Sequence, residues 1–383
     1  MSRKLLDKNF CLIPWTGFEL EPDGNVKNCI ISKDVIGSIY KNSIQDIIKG
    51  NSKIKQAMME GKFPSNCDGC YLQEKHRKKN FESISSRLYY AKEIGPSISK
   101  GLLDSKDNFK LKHIDLRWSN ACNQVCVYCG ADYSSKWAAE LGKKIPHNQK
   151  AIDKVKDYVF ANIKNLTNVY LAGGEPLLMK QNQEFLQLLY KENPDVTIRV
   201  NTNLSKTDTK IFDQLCKFKN VHWTISVEAI EQEYEYIRYH GNWQNFLNNL
   251  NVIKKLPHRI SFNMLYFILN YKSIFDCVDY FQKLGFHNNS FVIGPLLDPH
   301  YLNILNLPTS IINELIGILK FKIKEKPGFL LENSYQNLLQ YLTETEFCAN
   351  IENTQAELKK MDKRRNINSN KIFPELYTEA FTQ

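Results

Sequence analysis

From about residue 112 to 295 the chain alternates short apolar, β-branched runs with amphipathic stretches whose apolar residues recur at three- and four-residue spacing. The runs HIDLRW (113–118), NVYLAG (168–173), VTIRVNTN (196–203), HWTISVEA (222–229), ISFNMLYFI (260–268) and NSFVIGP (289–295) predict six strands. Between them AIDKVKDYVFANIKN (151–165), NQEFLQLLYKEN (182–193), TKIFDQLCKF (209–218), WQNFLNNLNVIKKL (243–256) and SIFDCVDYFQKLG (273–285) predict helices. This rhythm makes parallel βα units, and it predicts an α/β fold built on a partial, open (β/α)6 barrel. Active sites on such folds sit at the C-terminal strand ends, so the residues just after each run take priority.

The flanks have a different texture. WTGFELEPDGNVKNC (15–29) reads as a hairpin, with Pro22, Asp23 and Gly24 supplying the turn chemistry. Residues 35–67 read as a short strand and then helices leading to a cysteine pair, and 310–324, 337–347 and 353–365 as C-terminal helices. The expected organisation is a small cysteine-rich α+β domain over 1–108, the partial barrel over 109–298 and a mainly helical extension over 299–383, with PHYLNILNLP (299–308) as a wall or lid of the substrate cavity.

Composition narrows the class. With 383 residues, 43% hydrophobic and 12% aromatic, the chain can bury a sizeable core. No run approaches the roughly 18 apolar residues of a membrane span, and MSRKLLDKNFCLIPW lacks a secretory h-region, so a cytoplasmic protein with no membrane partner is expected. The net charge of +10 comes from Lys and Arg spread along the chain, with local concentrations at 75–79 (KHRKK) and 359–365 (KKMDKRR). These runs read as solvated faces, with nucleic-acid binding as the alternative. Ten cysteines in a reducing compartment point to ligand duty more than to disulfides.

The most specific stretch is SNACNQVCVYCGAD (119–132), a C-x3-C-x2-C array of Cys122, Cys126 and Cys129 directly after the first barrel strand. Three thiolates on one loop can hold three corners of a [4Fe-4S] cube and leave one iron open; a zinc site completed from elsewhere is the competing reading. The array resembles the cluster motif of the radical SAM enzymes, with an aromatic residue, Tyr128, before the last cysteine. The resemblance implies an open iron that binds S-adenosylmethionine, whose one-electron cleavage gives a 5′-deoxyadenosyl radical that abstracts hydrogen from substrate. LAGGEPLL (171–178) resembles the family's Gly-Gly-Glu-Pro segment. It implies that Gly173 and Gly174 let backbone approach the ligand and that Glu175 accepts from the methionyl ammonium. VNTNLS (200–205) resembles the ribose-contacting strand, implicating Thr202 and Asn203. Ser226 and Arg238 resemble a pair that holds the S-adenosylmethionine carboxylate, a surface ion pair with Glu235 being the plainer role for Arg238. Relatives often carry Asp where this chain has Glu228.

Ahead of the barrel, twelve residues separate Cys11 from Gly24 and four separate Gly24 from Cys29, and Cys67 and Cys70 form a C-x2-C pair. The pattern resembles the auxiliary-cluster domain called SPASM, or its half-size twitch form. This implies that Cys11, Cys29, Cys67 and Cys70 close one second [4Fe-4S] cluster; a four-cysteine zinc site is the alternative. No cysteine follows in YLQEKHRKKN, which argues for one auxiliary cluster. The placement before the barrel is a permutation of the family's usual order. Cys216, Cys277 and Cys348 read as core thiols in helical patterns.

The expected function is hydrogen abstraction from a peptide or small-molecule substrate, with an electron donor such as flavodoxin or ferredoxin. The cysteine domain fills the first 110 residues, which lowers the expectation of a separate leader-peptide-binding domain. An RNA-modifying radical enzyme, and a non-catalytic iron-sulfur or zinc protein with a basic partner surface, are the alternatives.

Overall fold

The computed structural model describes residues 7–32, 34–75, 85–145, 148–325 and 327–381. Most of the basic run at 75–79 therefore lies outside the described residues. The N-terminal region supplies three strands, β1 (Gly17–Leu20), β2 (Asn25–Lys27) and β3 (Val35–Ser38). The barrel region adds β4 (His113–Leu116), β5 (Val125–Cys126), β6 (Asn168–Leu171), β7 (Thr197–Thr202), β8 (Val221–Ser226), β9 (Arg238–Tyr239), β10 (Arg259–Tyr266) and β11 (Phe291–Pro295). The six expected strands are β4, β6, β7, β8, β10 and β11, and each pairs in parallel with the next. The helices between them start where short polar side chains cap them: Asn148 accepts from Ala151 N, Thr209 from Phe212 N and Asn242 from Asn245 N.

Strand alternation splits the sheet into two faces. Ile114, Val169, Ile198, Trp223 and Phe262 are fully buried and pack with helix residues such as Val155, Phe185 and Leu189. Burying each such side chain contributes about 1.5–3 kcal/mol, so this face fixes the register. On the opposite face one register row reads Asp115, Tyr170, Arg199, His222 and Arg259. A parallel sheet normally buries apolar side chains on both faces, and this polar row departs from that pattern.

The hairpin at 15–29 forms with Gly24 at φ +82° in its turn and the Glu21 amide donating to Asn25 O at 2.8 Å. It does not stand apart from the barrel: β1 pairs in parallel with β4, giving one nine-stranded sheet with β3 and β11 at its edges. Gly17 permits this, because a Cβ there would come within 2.5 Å of His113 O. The seam carries a buried ionic cluster in which Arg117 donates to both Asp115 oxygens at 3.1 and 3.0 Å, with Glu19 at 2.6 Å and Glu21 at 3.5 Å. Burial and the facing Asp115 push the Glu19 carboxyl up to about 8, whereas Glu21, which accepts from Lys27 and Tyr133, is held low. The helix Ser86–Ile94 adds a second link, packing Tyr90 against His113 with tilted rings 4.3 Å apart and setting Arg199 over the Tyr89 ring at 4.7 Å.

The C-terminal helices close the other edge. The Ile293 amide of β11 donates to Ser334 Oγ in the helix Phe329–Glu344, satisfying a group that a further strand would otherwise take. PHYLNILNLP forms two 3-10 turns, His300–Leu302 and Ile304–Asn306. Its Tyr301 donates to Val127 O at 3.4 Å and its carbonyl accepts from Thr354 Oγ1 at 2.7 Å, tying the cysteine loop to the helix Ile351–Arg365. The basic run in that helix is only partly a solvated face. Arg365 is buried, stacks on Trp137 and Tyr239, and shares Glu140 with Arg364.

Candidate functional site

Cys122, Cys126 and Cys129 occupy the loop leaving β4, and backbone contacts place each of them. Cys126 lies in β5, opposite Arg238 of β9, with the Val127 amide donating to Ile237 O at 2.8 Å and Trp137 Nε1 to Cys126 O at 2.7 Å. Cys122 N donates to Ser135 Oγ at 3.2 Å and Cys129 N to Cys126 O at 3.0 Å. Burial, and then the neighbouring Cys126, push Cys122 and Cys129 up to about 12. Cys126 is raised by burial too, with the Arg238 guanidinium opposing the rise. Without a ligand these thiols keep their protons, so binding of a metal cluster is coupled to proton release.

The next strand end is pressed onto this loop. A Cβ on Gly174 would lie 2.3 Å from Ala121 O, and Gly173, at φ +104°, has Ser119 O at 3.1 Å from the same position. The amide of Glu175 donates to Ala121 O at 2.7 Å. The paired glycines thus admit the cysteine loop itself, whatever ligand they also border. Glu175 is buried with three donors: Leu177 N at 3.1 Å and Thr202 Oγ1 at 2.7 Å on Oε1, and Asn203 N at 2.8 Å on Oε2. Its burial raises its pKa against these donors. Asn203 Nδ2 reaches Asn123 Oδ1 at 3.2 Å and Cys122 Sγ at 3.8 Å, which brings the ends of β6 and β7 to the cysteine loop.

Arg238 does not pair with Glu235, whose Oε1 instead accepts from Trp243 N at 2.9 Å. It is buried and forked onto Glu228, Nε to Oε2 at 2.8 Å and Nη2 to Oε1 at 2.7 Å. Nη2 also donates to Tyr128 Oη at 2.5 Å, and Tyr128 donates to Glu228 at 3.0 Å. Nη1 lies 3.8 Å from Cys126 Sγ. Ser226, at the end of β8, is half-buried and pairs in register with Asn263. Glu228 is the partner that sequence reasoning passed over, although it follows β8 by two residues, where strand-end priority points. Leu204, Glu231 and His240 have φ of 53°, 51° and 68°, so left-handed backbone recurs within three residues of Asn203, Glu228 and Arg238.

The four remaining ligand candidates meet elsewhere. Cys11, Cys29, Cys67 and Cys70 line one cavity with Ile13, Ile31, Tyr71, Arg87 and Tyr90, enclosing about 360 Å³ of non-protein space including open solvent. Burial, followed by Cys29 for Cys11 and by Cys70 for Cys67, raises these thiols, Cys67 and Cys29 to about 12. Arg87 is buried beside them, ion-paired with Glu74 and donating to Asp7 O and Phe10 O at 3.0 Å. Four soft donors around one mostly apolar cavity suit a fully ligated iron-sulfur cluster or zinc. Among the described residues no set of three His, Cys, Asp or Glu side chains is drawn together as around a single ion. Of the other thiols Cys277 is buried and Cys216 half-buried, but Cys348 is exposed, between helices ending at Glu344 and beginning at Ile351. It is not a core thiol, because the helical pattern breaks before it.

A profile of the radical SAM superfamily matches residues 116–281, and one of the iron-sulfur cluster-binding domain SPASM matches residues 11–71. A GTP 3′,8-cyclase of Sulfurimonas denitrificans is 24% identical over 190 residues, 48% of this chain and 56% of that protein. The radical SAM cyclopropyl synthase TigE of Paramaledivibacter caminithermalis is 29% identical over 254 residues, 60% of this chain and 51% of that protein. The chain thus spans about half the length of these curated relatives. Streptococcus suis SuiB bound to precursor peptide SuiA is 14% identical and covers 76% of this chain and 65% of that one, with a TM-score of 0.42. No helix among the described residues is long and apolar enough to cross a membrane. The radical SAM domain implies a [4Fe-4S] cluster with S-adenosylmethionine, and the SPASM domain implies auxiliary iron-sulfur binding. The chain carries a domain of the radical SAM superfamily, with a SPASM domain ahead of it in sequence.

Proposed function

We propose that the chain is an enzyme that cleaves S-adenosylmethionine at the three-cysteine loop and abstracts hydrogen from a substrate lying against the polar face of the sheet. The observation that carries this reading is the convergence of Cys122, Glu175, Thr202 and Asn203 where β4, β6 and β7 end, joined through Asn203 at 3.8 Å from Cys122 Sγ. When bound, the cluster and S-adenosylmethionine supply one-electron chemistry that gives a 5′-deoxyadenosyl radical. The chain's own residues hold and orient. Cys122, Cys126 and Cys129 are the ligands, and Tyr128 packs beside them. Gly173 and Gly174 bring the β6 end close, and Glu175 holds the strand ends together while Oε2 keeps a lone pair for an ammonium. Asn203 and Ser226 stand as ribose and carboxylate contacts; Thr202 is turned toward Glu175.

Cys11, Cys29, Cys67 and Cys70 hold one auxiliary [4Fe-4S] cluster in this reading, since every thiol of the cavity is used and none is left over. The substrate is a peptide or small polar molecule, and the reductant a flavodoxin- or ferredoxin-type protein. The relatives' names, a nucleotide cyclase and a cyclopropyl synthase, do not converge on one substrate. Anaerobically reconstituted protein given dithionite and S-adenosylmethionine is expected to release 5′-deoxyadenosine, and the Cys122→Ala, Cys126→Ala and Cys129→Ala proteins to release none. Intact protein with a loaded trio and no such release would sink the proposal.

A further inference from the structure

Arg238 has five N–H donors, and four have partners within the chain: two go to Glu228, one to Tyr128 and one to Cys126 Sγ. Glu228 is itself fixed, its carbonyl accepting from Asn270 Nδ2 at 3.0 Å. Tyr128 is packed edge-on against Phe267 with ring centres 5.8 Å apart. The backbone pairing of Cys126 with Arg238 sets the sulfur and the guanidinium side by side. Only one N–H, on Nη1, remains for any outside partner. A guanidinium so restrained is badly placed to serve as the chief clamp on a ligand carboxylate, and well placed to act on a sulfur.

We infer that Arg238 is a positioning residue for the cluster, its Nη1 donating to the Cys126 thiolate and raising the cluster's reduction potential, with Glu228 and Tyr128 holding the guanidinium in that pose. The inference rests on the radical SAM reading of the trio. Its physical basis is that hydrogen bonds and positive charge at a cluster sulfur favour the reduced, more negative state. Glu228 binds the Nε and Nη2 side of the fork, so its compensating charge lies farther from the sulfur than Nη1 does. Among the described residues the hydrogen bonds at the Cys122 and Cys129 sulfurs go to the amide of Asn203 and the carbonyl of Gly130, and the Arg238 charge reaches Cys129 without such a bond.

The test is an EPR-monitored redox titration, without S-adenosylmethionine, of the signal that Cys122→Ala removes. Arg238→Gln is expected to shift that signal to a more negative potential, and Arg238→Lys to fall between it and the parent. Removing one partner leaves a buried Glu228 alone, so Arg238→Gln with Glu228→Gln supplies a neutral pair of amides; it too is expected to shift the potential negative, with a thermal melt confirming the fold. Calorimetric affinity for S-adenosylmethionine is expected to stay within about threefold of the parent, under 1 kcal/mol. An unchanged potential in both proteins, with affinity down tenfold or more, overturns the inference and returns Arg238 to the ligand carboxylate. A parent trio that takes up no cluster overturns the radical SAM reading itself, and the inference with it.

Discussion

Cys122, Cys126 and Cys129 sit on one short loop, whereas Cys11, Cys29, Cys67 and Cys70 reach a common cavity from separate stretches of the N-terminal region. Each centre has a buried arginine paired with a glutamate, Arg238 with Glu228 and Arg87 with Glu74. Their surroundings differ. The trio is bordered by strand ends rich in amide, hydroxyl and carboxylate groups, while the four-cysteine cavity is bordered mainly by apolar and aromatic side chains. On the proposed assignment of ligands, a centre with three of them and a polar rim is equipped to receive a molecule, and one with four and an apolar wall to keep its contents.

The largest expected effect separates the two centres by their ligands. Replacing Cys67 and Cys70 by Ala should remove about four iron atoms of about eight per chain and leave cleavage of S-adenosylmethionine by the trio. Replacing the trio should remove the other four and abolish cleavage. Iron and sulfide analysis with chromatography of 5′-deoxyadenosine reads both, and a parent with about four iron and one zinc would assign the N-terminal site to zinc.

Glycine substitutions sharpen the contrast at the level of backbone. Gly174→Ala drives a Cβ into Ala121 O at 2.3 Å, so the cysteine loop must move. Displacement on the ångström scale costs on the order of 100-fold in rate, read as 5′-deoxyadenosine formed per minute. Gly24→Ala, with φ at +82° in the hairpin turn, is expected to cost about 1–2 kcal/mol in a denaturant melt without abolishing cleavage.

The seam joining the two regions has its own signature in pH. Glu19 is raised from 4.5 to about 8 by burial and by Asp115, so the folded chain binds the proton more tightly than the unfolded one. Its contribution to stability is full below 4.5 and is lost as pH rises to about 8. Glu19→Gln is expected to flatten the melting temperature across that window; an equally steep profile would remove Glu19 as its cause. The smallest effect belongs to Cys348, exposed and outside both centres: Cys348→Ser should leave iron content unchanged and stability within about 0.5 kcal/mol.

Much of this was legible in the residues because the signals are local. The period-two runs mark all six barrel strands, and the PDG turn lies where the hairpin bends. Cysteine spacing made the trio readable for the same reason. What the residues did not disclose at Gly174 is its close approach to Ala121, more than fifty residues away in sequence. For Arg238 the helical spacing points to Glu235 as ion partner, whereas the partner is Glu228, on the far side of the helix Glu231–Ile237. For Cys348 the helical pattern misleads, because the helix stops four residues earlier, at Glu344.

By itself the sequence determined the parallel βα rhythm, the two groups of cysteines and the hairpin, because periodicity, ligand spacing and turn chemistry act over a few residues. Only the tertiary structure decided that β1 joins β4 in one sheet, that Glu175 ties β6 to β7, and that Arg238 faces Cys126. Those pairings set residues far apart in sequence within hydrogen-bonding reach. Burial then makes each unpaired charge costly, so the fold settles which of many possible partners is the one used.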